Sequence, residues 1–147
     1  MSKVNILNGD VNSPLINELS SLFASEWSDF KVSDLGISNT EIPLPLVMCS
    51  DEQVVGGLAF TQFAEPGFDH TVVWLNALYI QPDYRGMGLA SQLIQHAQSE
   101  LKDSQRWLYV YTNVPSLYGS LGWSVIEADS ELNHKVLRVS LLSQPHA

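Results

Sequence analysis

One stretch of the sequence constrains the local fold more tightly than any other. Residues 71–80 (TVVWLNALYI) are almost continuously apolar and rich in β-branched and aromatic side chains, which predicts a strand that is covered on both faces. Residues 81–88 follow with one proline and two glycines, a composition typical of a tight turn. Over residues 89–101, apolar side chains then recur at helical spacing. The sequence therefore predicts a buried strand joined by a glycine turn to an amphipathic helix.

The rest of the chain supplies more strands and helices around this unit. We predict further strands over residues 4–7, 44–49, 54–63, 107–112, 123–126 and 134–142, and further helices over residues 14–27 and 115–121. Residues 28–40 are predicted to form a loop with one short helix, and the Gly56-Gly57 pair predicts a bulge in its strand. This order of elements indicates a mixed α/β (α+β) fold, with a mixed, mostly antiparallel sheet and helices on both faces.

Length and charge limit the organisation and the partners of the chain. Its 147 residues match the size of one compact domain, so we expect a single domain over residues 1–147. The chain carries 7 Lys and Arg against 16 Asp and Glu, a net charge of -9. A field of that sign repels phosphate backbones and anionic lipids, and we therefore expect neither a nucleic-acid partner nor a membrane partner. The same field favours a cationic small molecule or a basic peptide.

The cysteine content and the apolar runs bear on the compartment. Cys49 is the single cysteine, so the chain has neither an internal disulfide nor the cysteine pair of a metal knuckle, and we predict no metal site. The N-terminus lacks the apolar core of a signal peptide, and no apolar run approaches the roughly 20 residues that cross a bilayer. We therefore expect a soluble cytoplasmic protein, with a homodimer as the default assembly.

The turn Arg85-Gly86-Met87-Gly88 and the helix that follows have the features of an anion site. The first turn of a helix presents N–H groups without intrahelical partners, and glycines let a phosphate approach the backbone. The Arg85 guanidinium matches phosphate oxygens in a forked geometry. The segment is neither a Walker loop nor a dinucleotide fingerprint, since Ser91 stands where the third glycine of the fingerprint belongs. Two glycines before a helix also occur in ordinary tight turns that bind no ligand, so residues 85–90 alone leave both interpretations open.

The longer segment over residues 78–90 (LYIQPDYRGMGLA) resembles the signature of the GNAT acetyltransferase superfamily. Arg85-x-x-Gly88-x-Ala90 matches the family pattern R/Q-x-x-G-x-G/A, and residues 117–123 (LYGSLGW) resemble its L-Y-x-x-x-G-F/W segment. The order of strands and helices also agrees over nearly the whole chain. The resemblance implies a GNAT-like acyl-CoA N-acyltransferase fold and transfer of an acetyl group from acetyl-CoA to a primary amine of a small molecule or peptide, by direct attack in a ternary complex.

The resemblance also implies where the donor binds. Backbone N–H groups of the turn and the first helical turn would hold the pyrophosphate of acetyl-CoA; these belong to Arg85, Gly86, Met87, Gly88, Leu89, Ala90 and Ser91. The main chain of Leu78, Tyr79 and Ile80 would pair with the pantetheine arm, where one N–H polarises the acetyl carbonyl. The central strand and the strand over residues 107–112 should splay apart to admit the arm. Asn113 either contacts this arm or serves only as a turn residue.

Tyr118 is identified by the resemblance as the general acid that protonates the departing thiolate. Many family members also keep a glutamate on the central or the following strand as a base. The corresponding positions here hold Trp74, Asn76 and Tyr109, none of which is a base near neutral pH. Asn76 either orients substrate or water or is satisfied by neighbouring backbone.

The resemblance implies an acceptor pocket between the first helix, the loop after it and the turn before the central strand. Aromatic and carboxylate side chains in these segments suit a cationic amine with an apolar body. The candidate substrate-binding residues are Trp27, Phe30, Asp69, His70 and Asn76. His70 is one candidate base on the rim, beside Glu65 and Asp69; alternatively, the enzyme takes the deprotonated fraction of the amine and relies on alignment.

Two other functions compete with this interpretation. A non-catalytic acyl-CoA-binding or regulatory module would keep the groove without turnover, and the missing strand carboxylate favours it while Tyr118 argues against it. An acyltransferase that uses a longer acyl chain would differ only in the depth of its pocket.

Overall fold

The computed structural model describes residues 4–10, 13–37, 39–128 and 133–142 of the chain. The strands are β1 (Val4–Asn8), β2 (Leu46–Ser50), β3 (Gln53–Ala64), β4 (Thr71–Ile80), β5 (Trp107–Thr112), β6 (Ser124–Ile126) and β7 (Lys135–Ser140). The α-helices are α1 (Pro14–Glu26), α2 (Leu89–Leu101) and α3 (Pro115–Gly119), and two short 3-10 helices span Val32–Leu35 and Pro82–Tyr84. The first 3-10 helix is the short helix expected in residues 28–40, whereas the second was not predicted.

The seven strands form one sheet in the order β1-β2-β3-β4-β5-β7-β6. Strands β4 and β5 are parallel, and every other neighbouring pair is antiparallel. The chain passes from β4 to β5 through α2, the crossover that a parallel pair requires. The predicted mixed, mostly antiparallel sheet is confirmed.

Helix α1 covers one face of the sheet. It begins at Pro14, where the hydroxyl of Ser13 accepts a hydrogen bond from the Leu15 N–H at 3.3 Å. Its buried stripe of Ile16, Leu19 and Phe23 packs in one cluster with Val47, Cys49 and Ala59 of the sheet. Burial of Cys49 raises the pKa of its thiol, which is the behaviour of a structural cysteine.

Helices α2 and α3 cover the opposite face. The buried side of α2 joins the largest core cluster together with strand residues such as Leu58, Leu75 and Val110. Tyr118 of α3 and Trp123 belong to the same cluster. Helices therefore lie on both faces of the sheet, as the pattern predicts. None of the helices in the described ranges combines the length and apolarity needed to cross a bilayer.

The sheet contains two register irregularities. In β3, Val55 is passed over between the pairs Met48–Gly56 and Cys49–Val54, so the predicted bulge lies directly before Gly56-Gly57. The glycine pair permits close contacts there, because a Cβ on Gly56 would lie 2.4 Å from the Tyr79 carbonyl oxygen. A second irregularity, which the sequence did not predict, lies in β4: Ala59 pairs with Ala77 and Phe60 with Leu75, and Asn76 is left unpaired.

Candidate functional site

The turn before α2 is open and built on two left-handed glycines. Gly86 has φ +80° and Gly88 has φ +78°, and no atom lies within 4 Å of a Cβ placed on either residue. The N–H groups of the first turn of a helix have no intrahelical acceptor. The N-cap of α2 is Gly88, so no N-cap side chain accepts from these N–H groups either. Met87 beside them is exposed. This exposed backbone has the partial positive charge and the open space that a diphosphate needs.

Arg85 is anchored rather than free. Its Nε donates a hydrogen bond to the Ile80 carbonyl oxygen at 2.7 Å, and its guanidinium lies 5.3 Å from the centre of the Tyr79 ring. The side chain therefore connects the end of β4 to the turn. One guanidinium nitrogen is used in this way, and the positive charge stays beside the glycine turn.

A groove opens where β4 and β5 separate. The two strands pair only at Trp74–Tyr109 and Leu75–Val110, although both continue beyond these pairs. The space between them is a cavity of about 240 Å³, which we call the groove. Its lining includes residues 75–78 on one side, residues 110–114 on the other, and Tyr118. Beyond Leu75, the edge of β4 that faces β5 is therefore available to a linear ligand that pairs with main-chain groups.

The bulge places Asn76 where three cavities meet. Asn76 is exposed and lines the groove, a cavity of about 760 Å³ and a cavity of about 360 Å³. A bulge re-aims a side chain at a site of this kind. The predicted candidate Asn76 thus stands between the space for the donor and the space for an acceptor.

Tyr118 reaches the groove from α3. The residue is 3% exposed, its ring packs edge-on against Trp123 at 5.1 Å, and it lines the groove. Burial raises the pKa of its phenol. The hydroxyl therefore stays protonated at neutral pH and is available as a hydrogen-bond or proton donor. Asn113 is an exposed residue that lines the same groove just after β5.

The cavity of 360 Å³ adjoins the end of α1. It is lined by Trp27, Asp29, Phe30, Asp34, Asn76 and Ala77. Phe30 packs against Phe23 with ring centres 5.0 Å apart, and Trp27 also contacts Phe23. The predicted candidates Trp27 and Phe30 are thus held beside Asn76 by the core of α1.

The other two predicted candidates lie elsewhere. His70 is largely exposed and lines a cavity of about 540 Å³, which shares Glu65 and Phe68 with the cavity of 760 Å³ but whose lining does not include Asn76. Asp69 is exposed in the β3–β4 turn and lines none of the cavities described above. The structure therefore brings Trp27, Phe30 and Asn76 together but not Asp69 and His70.

A buried carboxylate lies at the end of β3. Glu65 is 9% exposed; its Oε2 accepts a hydrogen bond from the Tyr109 hydroxyl at 2.6 Å, and its Oε1 lies 2.6 Å from the His70 Nε2. These contacts, that of Tyr109 above all, hold the pKa of Glu65 below its ordinary value. Sequence reasoning placed Glu65 only on the rim. The phenol of Tyr109 inside an apolar strand was the one signal, because a buried tyrosine hydroxyl needs a partner.

Comparisons with known proteins agree with this geometry. A model of the acetyltransferase (GNAT) family matches residues 13–123, and a search of curated protein sequences finds no match. An aminoglycoside 6'-N-acetyltransferase complexed with coenzyme A has a TM-score of 0.76 at 14% identity, covering 97% of this chain and 99% of its own. The NatC complex bound to Gag peptide and CoA has a TM-score of 0.76 at 14% identity, covering 94% of this chain and 98% of its own. Arabidopsis thaliana Naa50 in complex with the bisubstrate analogue CoA-Ac-MVNAL has a TM-score of 0.67 at 18% identity, covering 93% of this chain and 98% of its own. At these identities, the solved structures show a shared fold.

Proposed function

Because the chain belongs to the acetyltransferase (GNAT) family, we propose that it transfers the acetyl group of acetyl-CoA to a primary amine by direct attack within a ternary complex. The observation that carries this proposal is the separation of β4 and β5 beyond Leu75 and Val110. The separation opens a groove beside the unpaired edge of β4, and Tyr118 lies in its wall.

The residues present fit acetyl-CoA. The glycine turn offers backbone N–H groups, open space and the charge of Arg85 to a diphosphate. The main chain of residues 78–80 would pair with the pantetheine arm, and one N–H there would donate to the acetyl carbonyl. Bound acetyl-CoA supplies an activated acyl group as a thioester. The protein supplies position and electrostatics.

Tyr118 would donate the proton that the departing thiolate takes up. Its raised pKa keeps the hydroxyl protonated over the working range of pH, so the hydroxyl can donate a hydrogen bond to the sulfur as negative charge develops there. The ring packing on Trp123 fixes where the hydroxyl lies. We therefore assign Tyr118 as the general acid.

The amine would be aligned at Asn76, whose amide can accept a hydrogen bond from it. Among the described residues, no Asp, Glu or His on β4 or β5 lines the groove. His134, just before β7, lines the groove and stacks on Tyr111 with ring centres 4.8 Å apart. Glu65 is a weak proton acceptor because its pKa is lowered. Alignment of the deprotonated fraction of the amine therefore accounts for the reaction better than a strand base does.

A test of this proposal measures binding and turnover separately. Calorimetry with CoA reports binding, and release of free CoA thiol from acetyl-CoA reports turnover with polyamines, aminoglycosides and peptide N-termini. Thiol release that depends on one of these amines supports the proposal. Binding of CoA without turnover on any of the amines would instead identify a non-catalytic acyl-CoA-binding module, and no binding at all would overturn both functions.

A further inference from the structure

The cavity of 760 Å³ extends away from Asn76 along the sheet. It is walled by the aromatic side chains of Phe63, Phe68, Trp74 and Tyr111, and we call it the aromatic cavity. Phe63 packs edge-on against Trp74 at 5.9 Å. Since Asn76 lines both the groove and the aromatic cavity, a molecule in the aromatic cavity can present an atom at the point where the proposed function aligns the amine.

Glu65 is the one charged residue among the described residues that line the aromatic cavity. Its two oxygens are oriented by Tyr109 and His70 at 2.6 Å each. A carboxylate offers about four lone-pair positions, so two remain for a further donor. The lowered pKa of Glu65 keeps it ionised. Glu65 is itself buried, and a buried negative charge favours a cationic ligand group as its partner.

The position of Glu65 gives the scale of the ligand. Its carboxylate contacts the hydroxyl of Tyr109, and Tyr109 pairs with and stacks on Trp74. Trp74 precedes Asn76 by two residues on β4. At the rise of a strand, this separates Asn76 from the level of the Trp74–Tyr109 pair by on the order of 7 Å. Glu65 follows Ala64, which pairs with Thr71, so its carboxylate is farther from Asn76 than that pair, and the ligand must be longer than this rise.

Arg138 does not occupy this position on Glu65. Its guanidinium lies 3.9 Å from the centre of the Trp107 ring, and it donates to the Tyr109 hydroxyl at 3.5 Å. In the described part of the chain, the close side-chain contact of Glu65 with a basic residue is with His70, at 2.6 Å, and Arg138 acts on the pKa of Glu65 through its charge. Arg138 lines the cavity of 540 Å³, which shares Glu65 and Phe68 with the aromatic cavity, but it does not line the aromatic cavity itself.

We propose that the acceptor is a diamine, with one amine nitrogen at Asn76 and a second ammonium group at Glu65. This inference rests on the proposed function and names the substrate class of the same site. A hydrocarbon chain between the two nitrogens would cover the exposed aromatic rings of Phe63 and Phe68, whereas a hydroxylated sugar would place polar groups against them. The net charge of -9 attracts a dication more strongly than a monocation.

The experiment compares α,ω-diaminoalkanes of increasing length with n-alkylamines of matched length, using kcat/KM for thiol release by the full-length chain. We expect an optimum length among the diamines and a preference of about tenfold or more over the matched monoamine, the value of one buried charged hydrogen bond. Equal kcat/KM for matched diamines and monoamines would overturn the inference and leave the proposed function intact. Failure to acetylate any amine would overturn both.

Variants locate the second ammonium group. Glu65→Gln should lower the preference for the diamine about tenfold, through KM rather than kcat, and Glu65→Asp should retain part of the preference because it keeps the charge. Glu41→Gln is the matched control: Glu41 is exposed, is bonded to Gln62 at 2.9 Å and lies outside the aromatic cavity. A diamine preference that survives in a folded Glu65→Gln protein would place the second ammonium group elsewhere and overturn the assignment.

Discussion

Replacement of Tyr118 by Phe isolates the contribution of one hydroxyl. The ring stays the same size, so its edge-on contact with Trp123 at 5.1 Å is kept. Because the residue is 3% exposed, bulk water cannot simply take the place of the hydroxyl in the groove. The substitution therefore removes a proton donor and leaves the binding surface for CoA in place.

The size of the effect follows from the leaving group. General acid catalysis contributes about 10²- to 10⁴-fold. An alkyl thiol such as that of cysteine has a pKa of about 8.5, so a thiolate is already a tolerable leaving group near neutral pH. We therefore expect the lower end of the range, a loss of about 100-fold in kcat at pH 7 with little change in affinity for CoA. Loss of the hydroxyl should cost about 1 kcal/mol or less in stability.

The assay is thiol release at saturating acetyl-CoA over pH 6 to 10, with calorimetry for CoA binding. The raised pKa of Tyr118 keeps its proton in place above the ordinary tyrosine value of about 10, so its own titration should not lower the wild-type rate within this range. The ratio of the wild-type kcat to the kcat of Tyr118→Phe should fall above about pH 8.5, because the released thiolate then no longer needs a proton. Tyr84→Phe, a half-buried tyrosine that does not line the groove, is the control. Equal kcat for Tyr118→Phe and the wild type would remove Tyr118 from the mechanism.

The other predictions concern the glycine turn, the buried carboxylate and the bulge. Gly88→Val places a β-branched residue at φ +78° in the open turn and should abolish thermal stabilisation by CoA. Gly67→Val, with φ +85° and equally open surroundings, should keep it, and an unchanged CoA response of Gly88→Val would refute the assignment. Glu65→Gln should lower the Tm by about 5 °C at pH 7, from about 2 kcal/mol of charged hydrogen bonding. The pKa of Glu65 in the folded protein lies below the ordinary value of about 4.3, so this stabilisation is complete above about pH 4.3 and is lost as the pH falls through the pKa of the folded protein. The difference in Tm between the wild type and Glu65→Gln should therefore close in acid. A difference in Tm that is constant from pH 7 to pH 3 would contradict this. Asn76→Ala should raise the KM for the amine about tenfold without changing CoA affinity, and an unchanged KM would show that Asn76 does not contact the acceptor.

Local pattern predicts the parts of the site that lie in one continuous segment. The glycine turn follows from residues 81–88 alone, because turn chemistry is written in neighbouring residues. The start of α1 follows in the same way from Ser13 and Pro14, and the structure shows the cap that this pair predicts. The splay of β4 from β5 came from the family resemblance and is confirmed by the short pairing of the two strands.

The parts of the site that depend on strand register or on partners distant in the chain could not be predicted from the sequence. The bulge at Asn76 is a property of how β3 aligns with β4, and no residue type at that position encodes it. The burial of Glu65 depends on Tyr109, 44 residues away along the chain. The turn before β4 was expected to supply Asp69 and His70 to the acceptor side. The structure places the His70 imidazole 2.6 Å from Glu65, in the lining of a cavity that shares Glu65 and Phe68 with the aromatic cavity.

The most direct measurement of the central claim is a titration of isotope-labelled protein with CoA, followed by the backbone amide resonances. The account predicts that the amides of residues 86–91 and of residues 76–80 shift together, with a common dissociation constant, while the amides of α1 away from its end remain unchanged. Amide resonances in the glycine turn that do not move at saturating CoA would contradict the account.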